Sequence, residues 1–493
     1  MRTDQQTVVI GGGITGLACA YRLERSGVSV LLLEASDRVG GVISQARHNG
    51  FLFEGGPQCP RFPRALRELV RDVGLDRAFV GANSRAKRFV VKGGQLYPAP
   101  LSPWALLGTR LVGFRDKARF VGEPFGHATP PDSEESVADF VRRKFGEETL
   151  AFLVDPFVSA VFFADPEDIG MEGALPSLAR WEREHGSVFR GALKSRTSNG
   201  HRPSSGGTNP SDHRSSSVRL SDALPPLGSF REGLTVLTDR LAEKLGASVR
   251  VGTRVELVRP ASDSRRHWLI RLRGGGEMTA ESVVIAVPAY EAASLLQAAR
   301  PHLSSMLAAI PYSPLAVVCS GYDRAQVRHS LKGFGFVVPR SEGLHTISST
   351  WNSSLFPGRA PAGKVVITSL ARPLADDSFL EMSEEAIANL VEREVSAIIG
   401  ISGSPVDRAV WKYPNALPHF RIGHRQRVAE IRKDARALPG LHLAGNYLEG
   451  RSIGDCVEFA FAVAEDVCRD LRTPLTANVS KPADPDKRRD LTG

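Results

Sequence analysis

Three glycines near the start of the chain have the spacing of a phosphate-binding turn. Gly11, Gly13 and Gly16 stand in the run GGGITG, directly after a β-branched segment that ends at Ile10. In such a turn one glycine permits the tight bend, the second lets the backbone approach a pyrophosphate, and the third lets the following helix pack on the strand. The N-terminus of that helix offers free N–H groups and a partial positive charge to the phosphate. The pattern therefore predicts that the chain binds a dinucleotide.

A carboxylate follows these glycines at the distance expected for a ribose contact. The apolar run from Val28 to Leu33 predicts a second strand, and Glu34 closes it about 20 residues after the turn. A carboxylate at this point accepts hydrogen bonds from ribose hydroxyls and repels the 2′-phosphate of NADP. An ordinary glycine-rich turn needs neither the second strand nor the acid. We therefore interpret residues 7–34 as one strand–helix–strand unit that binds a dinucleotide.

A second glycine pair favours a flavin over a nicotinamide cofactor. Arg38, Gly40 and Gly41 form the run RVGG shortly after Glu34, and a simple NAD-binding unit has no need of it. This pattern resembles the flavin amine oxidase superfamily, whose extended fingerprint places such an arginine and glycine pair near the FAD diphosphate. The resemblance implies that the cofactor is FAD.

The elements that must position these residues come from distant parts of the chain. Ser282 to Pro288 and Leu441 to Ala444 predict two further buried parallel strands, so other lobes must be inserted between them. We predict an α/β fold with a Rossmann-like FAD-binding domain, an interleaved α+β substrate domain and a helical membrane-association lobe. The predicted boundaries are 1–85, 226–300 and 408–472 for the discontinuous FAD-binding domain, 86–193 for the helical, membrane-facing lobe with part of the substrate site, 194–225 for a flexible loop rich in Ser and Gly, 301–407 for the substrate-binding domain and 473–493 for a disordered tail.

Length and composition exclude several classes of protein. The 493 residues exceed the size at which one hydrophobic core stops growing, which favours more than one lobe. With 42% apolar and 24% charged residues, the chain is neither wholly disordered nor collagen-like nor a polytopic membrane protein. Lys and Arg number 63 against 54 Asp and Glu, and this net charge of +9 is spread along the chain. We therefore expect no nucleic-acid partner.

The cysteines and the apolar runs indicate the compartment. The five cysteines form no CxxC pair and no Cys/His spacing typical of a zinc site, so we predict no metal. A sparse, odd set of cysteines suits a reducing compartment. The longest apolar run, Leu150 to Ala164, is short and is broken by Asp155 and Pro156. We expect a cytoplasmic protein, and peripheral contact with the inner face of the membrane stays open.

Further short motifs resemble the protoporphyrinogen oxidase family within that superfamily. They follow one another in the family's order from residue 7 to about residue 470, and their number and order carry the resemblance. The motifs are Phe53-Glu54-Gly55-Gly56-Pro57, Lys87-Arg88 before Phe89-Val90, Asp155-Pro156-Phe157-Val158, Gly333-Phe334-Gly335 with Val338-Pro339, Gly445-Asn446, Glu449-Gly450 and Gly454-Asp455-Cys456.

The resemblance implies which residues bind the substrate. Arg88 takes the place of an arginine that holds a porphyrinogen propionate, and a guanidinium fork suits a carboxylate. Gly335 and Val337 are expected along one face of the tetrapyrrole, with Thr350 and Leu370 along the other. Thr350 departs from the family, which usually has an aliphatic residue there, and Leu370 stands where many members have Phe or Met.

The resemblance also implies the cofactor contacts. No side chain is expected to be catalytic, because the flavin N5 carries the chemistry. The backbone of Val255 is expected at the adenine, and the segment after Gly445 at the isoalloxazine end. The full predicted set is Gly11, Gly12, Gly13, Ile14, Thr15, Gly16, Glu34, Arg38, Gly41, Val42, Gly56, Pro57, Val255, Asn446, Arg451, Ser452 and Ile453.

The function implied by the resemblance is the FAD-dependent, oxygen-using, six-electron oxidation of protoporphyrinogen IX to protoporphyrin IX in heme biosynthesis. The same fold acting on coproporphyrinogen III is the near alternative, which the net charge of +9 and Thr350 favour. A flavin amine oxidase or a carotenoid desaturase fits less well, and a flavin or tetrapyrrole carrier without turnover is the non-enzyme alternative. We expect His185 at a helix end, not as a proton acceptor.

One apolar segment predicts either a membrane surface or a core helix. Leu101 to Phe114 is apolar and contains Trp104, and the family's helical lobe rests against a bilayer. Basic residues nearby favour anionic lipid. They are Arg110, Arg115, Lys117 and Arg119. The oligomeric state stays open, a homodimer included.

Overall fold

The computed structural model describes residues 4–83, 86–125, 134–198, 226–262, 267–374, 378–449 and 452–472. The strands are β1 (Asp4–Ile10), β2 (Val30–Leu33), β3 (Gln45–His48), β4 (Phe51–Glu54), β5 (Phe79–Gly81), β6 (Arg88–Lys92), β7 (Gln95–Pro98), β8 (Gly228–Phe230), β9 (Val249–Arg250), β10 (Val255–Pro260), β11 (Trp268–Leu272), β12 (Glu277–Ile285), β13 (Tyr312–Asp323), β14 (Gly335–Val337), β15 (Thr346–Thr350), β16 (Lys364–Ala371), β17 (Asp407–Pro418) and β18 (Leu441–Leu443). The α-helices are α1 (Ile14–Arg25), α2 (Arg64–Asp72), α3 (Pro103–Gly108), α4 (Phe114–Gly122), α5 (Val137–Lys144), α6 (Glu147–Thr149), α7 (Asp155–Phe162), α8 (Met171–Ala174), α9 (Pro176–His185), α10 (Val188–Ser198), α11 (Thr235–Leu245), α12 (Ala289–Leu296), α13 (Pro301–Ala308), α14 (Asn352–Leu355), α15 (Glu384–Ile399), α16 (His424–Arg436) and α17 (Ile453–Arg472).

The first sheet joins the segments that the sequence predicted as parallel strands. Its order is β10-β11-β12-β1-β2-β9, and β18 also pairs with β12. β1 runs parallel to both β2 and β12, with Val8 opposite Leu31 and Val283. β18 runs parallel to β12, with Leu441 opposite Val283. The carboxyl ends of these strands therefore meet at one edge of the sheet, where cofactors bind in such folds.

Both faces of the first sheet are buried where its parallel strands are apolar, at residues 8–10, Val30–Leu33 and residues 283–285. Val9, Leu32 and Val284 pack on one side with α1, α11 and α17. Val8 and Val283 pack on the other side with α12, α13 and α16. Burial on both faces is typical of parallel strands, and it holds the N-terminus of α1 at the edge of the sheet.

The second sheet has the order β17-β13-β16-β15-β14-β6-β7. Val318, Phe336 and Ile367 lie on the face that packs against α15. Val317 lies on the opposite face and packs with Phe51 of β4. Because side chains alternate along a strand, one face of this sheet forms a core with α15. The opposite face is directed toward β4, which leads into the turn at Gly56.

This sheet moves two of the predicted domain boundaries. β6 and β7, predicted within the helical lobe 86–193, belong to the second sheet because β6 pairs with β14 and β7. β17, predicted as part of the FAD-binding domain from residue 408, pairs antiparallel with β13 from Tyr312 to Gly321. These boundaries are decided by pairing between distant strands, and the local residue pattern does not report such pairing.

The helices α3 to α10 form a separate lobe whose core includes Val137, Phe140, Val158 and Phe162. Its α9 ends at His185, where the sequence predicted a helix end. No helix in the described ranges is long and apolar enough to cross a membrane.

The loop predicted from residue 194 begins later than expected. α10 continues to Ser198, so residues 194–198 are helical. The rest of that loop, 199–225, and the predicted tail, 473–493, lie outside the described residues.

A fully buried ion pair ties the strand before the cofactor site to the second sheet. Arg359, between α14 and β16, lies 3.1 Å from Glu54 at the end of β4, and their side chains are 0% and 2% exposed. Arg359 also donates to the Phe230 carbonyl and the Ser229 hydroxyl, while the Leu234 N–H donates to Glu54. Burial raises the pKa of Glu54, and the charge of Arg359 opposes that rise. The two groups therefore depend on each other.

Removal of one partner of this pair is expected to destabilise the protein strongly. Arg359→Met leaves Glu54 buried without its cation, and such a loss lowers the free energy of unfolding by about 3–5 kcal/mol. Urea unfolding followed by tryptophan fluorescence measures the change. The exposed Arg67→Met is the matched control, with an expected change within about 0.5 kcal/mol. Equal midpoints for the two variants would contradict this role of Arg359.

Candidate active site

The first and third glycines of the turn are required by close packing. Gly11 has φ +111°, and a Cβ there would lie 2.6 Å from the Ala286 carbonyl oxygen. A Cβ on Gly16 would lie 1.9 Å from the Gly11 carbonyl oxygen. Both distances are too short for any side chain, so α1 can approach the end of β1 this closely only with glycine at these positions.

Gly13 differs, because a Cβ there would meet no protein atom within 4 Å. Gly13 caps the N-terminus of α1 and pairs with Gly40 in an isolated bridge. The side chains of the next two residues, Ile14 and Thr15, are buried. Only their backbone N–H groups at the helix N-terminus are therefore available to a ligand. The open space beside Gly13 fits the close approach of a diphosphate. The residues present therefore fit the predicted cofactor.

Glu34 is fixed at the far side of the turn. Its Oε2 accepts from the Gly12 N–H at 2.6 Å, and its Oε1 accepts from the Ser36 N–H at 2.8 Å. The Thr253 N–H donates to the Glu34 carbonyl at 2.8 Å, and Val255 begins β10 two residues later. The structure thus brings the predicted ribose and adenine residues, Glu34 and Val255, to one end of the glycine turn.

Arg38 holds the second glycine loop through its carbonyl groups. Its guanidinium donates to the carbonyl oxygens of Val39 at 3.1 Å, Gly41 at 2.8 Å and Ile43 at 3.2 Å. Gly41 has φ +57° and Gly40 has φ +102°, a backbone that favours glycine at both positions. The side chain of Val42, between them and Ile43, is exposed. Arg38 therefore shapes this loop, and its role at the diphosphate stays a prediction.

Gly56 and Pro57 continue from β4 into the same site. A Cβ on Gly56 would lie 2.0 Å from the Val42 carbonyl oxygen, so the two loops touch. Gln58 fastens the turn, because its amide donates to the carbonyls of Glu54 and Gly56 at 2.8 Å each. Pro57 is half-buried between these anchors.

The C-terminal cofactor segment is held at both ends. Ser452 caps α17, since its hydroxyl accepts from the Asp455 N–H and its N–H donates to the Asp455 carboxylate. Ile453 is buried in the same core as Ile14 of α1. Asn446 lines a small cavity with Phe162 and Pro418, among other residues. Arg451 lies outside the described residues.

Sequence reasoning missed His424, which fixes the segment that carries Asn446. The buried His424 Nε2 lies 3.0 Å from the Tyr447 carbonyl oxygen, and because a carbonyl only accepts, this nitrogen donates. Burial lowers the pKa of His424 to about 4, so the imidazole is neutral near pH 7. Its contact is set by the fold between α16 and residue 447, and no local sequence pattern indicated it.

The predicted substrate residues meet on one face of the second sheet. Arg88 on β6 lies opposite Gly335 on β14, and Gly335 lies opposite Thr350 on β15. One step further along the same face, Val337 shares a row with Leu370, through Ser348 on β15 between them. We call this surface the substrate face. It extends over about 14 Å from β6 to β16, at the usual strand spacing.

This register places the four predicted macrocycle contacts on one face of the sheet, and the face of the tetrapyrrole that each one meets stays a prediction. Gly335 and Val337 were expected on one side of the tetrapyrrole, with Thr350 and Leu370 on the other. Residues that oppose each other in neighbouring strands point to the same face of a sheet, as do residues two apart in one strand. All four therefore belong to one platform. Which residues share a face follows from the pairing and register of the strands, and the sequence alone does not give that pairing.

Arg88 is a half-buried cation at the edge of the substrate face. Its guanidinium lies over the Phe334 ring, 4.8 Å from the ring centre. Burial and the neighbouring charge of Arg61 lower the pKa of Arg88, and no carboxylate of a described residue pairs with it. A guanidinium in this state suits a carboxylate ligand.

The helical lobe covers part of the substrate face. Leu111 and Val112 pack on Val90 and Val337. Beyond the end of β14, the Arg340 N–H donates to Asp155 at the start of α7, at 2.8 Å. The lobe therefore covers part of the substrate face with apolar side chains, a setting that would exclude water from a bound macrocycle.

Among the described residues, no group of three or more His, Cys, Asp or Glu side chains could hold a metal ion.

Comparison with known proteins gives the family. Residues 14–468 match the family model described as flavin containing amine oxidoreductase. The chain therefore belongs to the flavin-containing amine oxidoreductase family, and the predicted flavin cofactor is confirmed by this membership.

The resemblance to protoporphyrinogen oxidases is confirmed as well. The chloroplastic protoporphyrinogen oxidase of Oryza sativa subsp. japonica is 33% identical over 485 residues, which cover 94% of this chain and 88% of that protein. The coproporphyrinogen III oxidase of Bacillus subtilis is 27% identical, with 94% of this chain and 97% of that protein covered. A crystal structure from Exiguobacterium sp., provisionally named a protoporphyrinogen oxidase, has a TM-score of 0.78 at 24% identity and covers 96% of this chain and 100% of that one.

The open space at Gly13 gives a test of the cofactor site. In Gly13→Ala the added methyl group meets no protein atom but would occupy the space predicted for the diphosphate. We expect FAD affinity to fall about tenfold or more, because overpacking by a methyl group costs about 1–3 kcal/mol, while the urea midpoint of the apoprotein stays unchanged. Flavin fluorescence titration of the apoprotein measures the affinity.

The matched control is Gly122→Ala at the end of α4, where a Cβ also meets nothing within 4 Å. It is expected to bind FAD as the unsubstituted protein does. An unchanged FAD affinity in Gly13→Ala would show that the diphosphate does not lie there.

Proposed function

We propose that the chain catalyses the FAD-dependent oxidation of protoporphyrinogen IX to protoporphyrin IX. The observation that carries this proposal is Arg88, a half-buried guanidinium without a carboxylate partner among the described residues, at the edge of the substrate face, whose Val337 and Leu370 pack in apolar clusters. A flat, largely apolar macrocycle with acidic side chains matches both features. The similarity to the rice protoporphyrinogen oxidase supports the same substrate.

The protein's part in the reaction is to bind and orient. The substrate face carries the macrocycle, Arg88 holds a propionate, and the helical lobe excludes water. When bound, FAD supplies the hydride acceptor at N5 for the weak C–H bonds of the methylene bridges. With molecular oxygen as the final acceptor, removal of six electrons and six hydrogens gives three molecules of hydrogen peroxide. The three protons that accompany the three hydrides, two from ring nitrogens and one from the fourth methylene bridge, leave to water, so the proposal requires no side chain to act as a general base.

Coproporphyrinogen III is the second candidate substrate. It carries four carboxylates where protoporphyrinogen IX carries two. The hydroxyl of Thr350 on the substrate face favours the more polar substrate, as does the similarity to the Bacillus subtilis coproporphyrinogen III oxidase. The two substrates share the carboxylate that Arg88 would hold, so a direct comparison of their turnover separates them.

We further propose that the helical lobe rests on the inner face of a membrane. Its surface exposes large apolar side chains, with Trp104 at 82%, Phe114 at 85% and Phe125 at 81%. Such exposure does not suit the alternative of a core helix, and aromatic residues with basic neighbours suit a lipid interface. Arg110, Arg115 and Arg119 are exposed nearby. A homodimer through this surface is the competing arrangement.

The proposed substrate predicts a specific effect of Arg88. In Arg88→Met we expect the KM for protoporphyrinogen IX to rise about tenfold or more, because a charge-assisted hydrogen bond is lost, while kcat changes little. Porphyrin fluorescence under air measures the rate above the spontaneous background. An unchanged KM would show that Arg88 does not hold a propionate of the substrate. No oxidation of either porphyrinogen by the unsubstituted flavoprotein would overturn the proposed function.

The membrane proposal predicts that exposed aromatic residues drive vesicle binding. The triple variant Trp104→Ser, Phe114→Ser, Phe125→Ser is expected to lose about tenfold or more of its partitioning into vesicles with anionic lipid, because the buried apolar area is lost. Co-sedimentation with vesicles measures it. The triple variant Val251→Ser, Val406→Ser, Ile422→Ser, at exposed sites outside the lobe, is the control. Unchanged partitioning of the lobe variant would contradict the proposal. So would a dimer of the unsubstituted protein in analytical ultracentrifugation that becomes a monomer in the lobe variant.

A further inference from the structure

The turn that follows β18, residues 445–449, lies beside the glycine turn at the carboxyl edge of the first sheet. The Ala444 N–H donates to the Ile285 carbonyl at 2.9 Å, and the Ala286 N–H donates to the Ile10 carbonyl at 2.8 Å. The ends of β18, β12 and β1 are therefore neighbours. A dinucleotide with its ribose at the carboxylate after β2 and its diphosphate at the glycine turn would extend its flavin end toward the side of the edge where β18 ends.

The turn at 445–449 is compact and presents Asn446. The Leu448 N–H donates to the Gly445 carbonyl at 3.0 Å. A Cβ on Gly445 would lie 2.2 Å from the ring of the fully buried Tyr447, so that ring folds back over the glycine. Asn446, between these two residues, lines the small cavity described above, and the other described residues around this cavity are apolar: Val161, Phe162, Leu417, Pro418 and Phe420. Asn446 is thus the polar residue at a junction of α7, β17 and the cofactor edge.

His424 joins this turn to the helical lobe. Its Nε2 donates to the Tyr447 carbonyl at 3.0 Å. Its ring stands perpendicular to the Phe420 ring, with the ring centres 4.7 Å apart, and Phe420 belongs to the core of the lobe. The N–H of the preceding residue, Gly423, donates to the Glu134 carboxylate of the lobe at 2.9 Å. The lobe therefore fixes the imidazole, and the imidazole holds the turn.

The tautomer of His424 shows what this side chain contributes. With the proton on Nε2, the buried Nδ1 is a bare acceptor, and it has no hydrogen-bond partner among the described residues. Such an atom costs stability, and an apolar side chain would avoid that cost. What histidine provides and an apolar residue cannot is the donation to the Tyr447 carbonyl. Burial lowers the pKa of His424 to about 4, so the ring acts near pH 7 as a neutral donor and not as a charge.

We propose that His424 is a positioning residue for the bound flavin cofactor. Its hydrogen bond to Tyr447 carries the position of the helical lobe to the turn at 445–449 and sets Asn446 against the cofactor. The lobe then takes part in cofactor binding in addition to covering the substrate face. The inference rests on the flavin, which family membership confirms, and does not depend on which substrate is oxidised.

The test compares two neutral amides of different length at position 424. The side-chain nitrogen of Gln reaches the place of the imidazole Nε2, whereas that of Asn reaches only the place of Nδ1. His424→Gln keeps a donor to Tyr447, and we expect its FAD affinity to stay within about twofold of the unsubstituted protein. In His424→Asn the buried carbonyl loses its donor, and we expect FAD affinity to fall about tenfold. Flavin fluorescence titration of the apoprotein measures both, and the fine structure of the bound flavin's absorbance is expected to change in His424→Asn alone.

The matched control is Trp268→Phe, at the opposite end of β18. The buried Trp268 Nε1 donates to the Pro439 carbonyl at 3.0 Å, just before this strand begins. We expect the control to lower the urea midpoint, followed by circular dichroism, as His424→Asn does, and to leave FAD affinity unchanged. Equal FAD affinity in His424→Gln and His424→Asn would overturn the inference, whether both are unchanged or both are weakened. An equal loss of FAD affinity in Trp268→Phe and His424→Asn would overturn it as well, because a general loss of stability would then explain both.

Hydrogen–deuterium exchange of the unsubstituted protein tests the inference without any variant. If the turn meets the cofactor, addition of FAD to the apoprotein is expected to slow exchange of the amides of 445–449 about tenfold or more. The amides of β7, at the edge of the second sheet, are expected to keep their rate. Protection that includes the glycine turn and leaves 445–449 unchanged would show that the cofactor does not reach Asn446, and would overturn the inference.

Discussion

The ion pair between Glu54 and Arg359 is the constraint on which the geometry of the site depends. Glu54 ends β4 and leads within two residues to Gly56, which touches the second glycine loop at the Val42 carbonyl. Arg359 belongs to the segment that enters the second sheet. Because both charges are withdrawn from water, each is stable only beside the other. The pair therefore holds the cofactor loops in a fixed relation to the substrate face.

The local residue pattern predicted the nucleotide-binding unit. It did not predict that the substrate residues share one face of a sheet. The turn at Gly11 to Gly16 and the acid at Glu34 follow rules of spacing within one strand–helix–strand unit, and the structure brings them together. The common face of Arg88, Gly335 and Thr350 depends on which strands pair and in which register. That choice is made by the whole sheet, since strand propensity depends on neighbours. The pairing of β17 with β13 and the contact of His424 with Tyr447 were not predicted either, because both join distant parts of the chain.

The net charge of +9 gains a partial explanation from the site. Arg88 is a half-buried cation at the edge of the substrate face, and the proposed ligand supplies both an apolar ring and a negative charge. The exposed lobe supplies a second setting in which basic residues would be useful, beside Trp104 and Phe114. The proposed substrate site and the exposed surface of the lobe are chemically compatible, because a hydrophobic acid partitions to the surface of a bilayer.

The central claim is that a porphyrinogen on the substrate face reduces the flavin of this chain. Anaerobic mixing of the purified flavoprotein with protoporphyrinogen IX in a stopped-flow spectrophotometer tests it most directly. The account predicts that the absorbance of oxidised flavin bleaches as that of porphyrin rises, and that both changes slow in Arg88→Met when the substrate is below saturation. A flavin that stays oxidised with excess protoporphyrinogen IX and with excess coproporphyrinogen III would contradict the account.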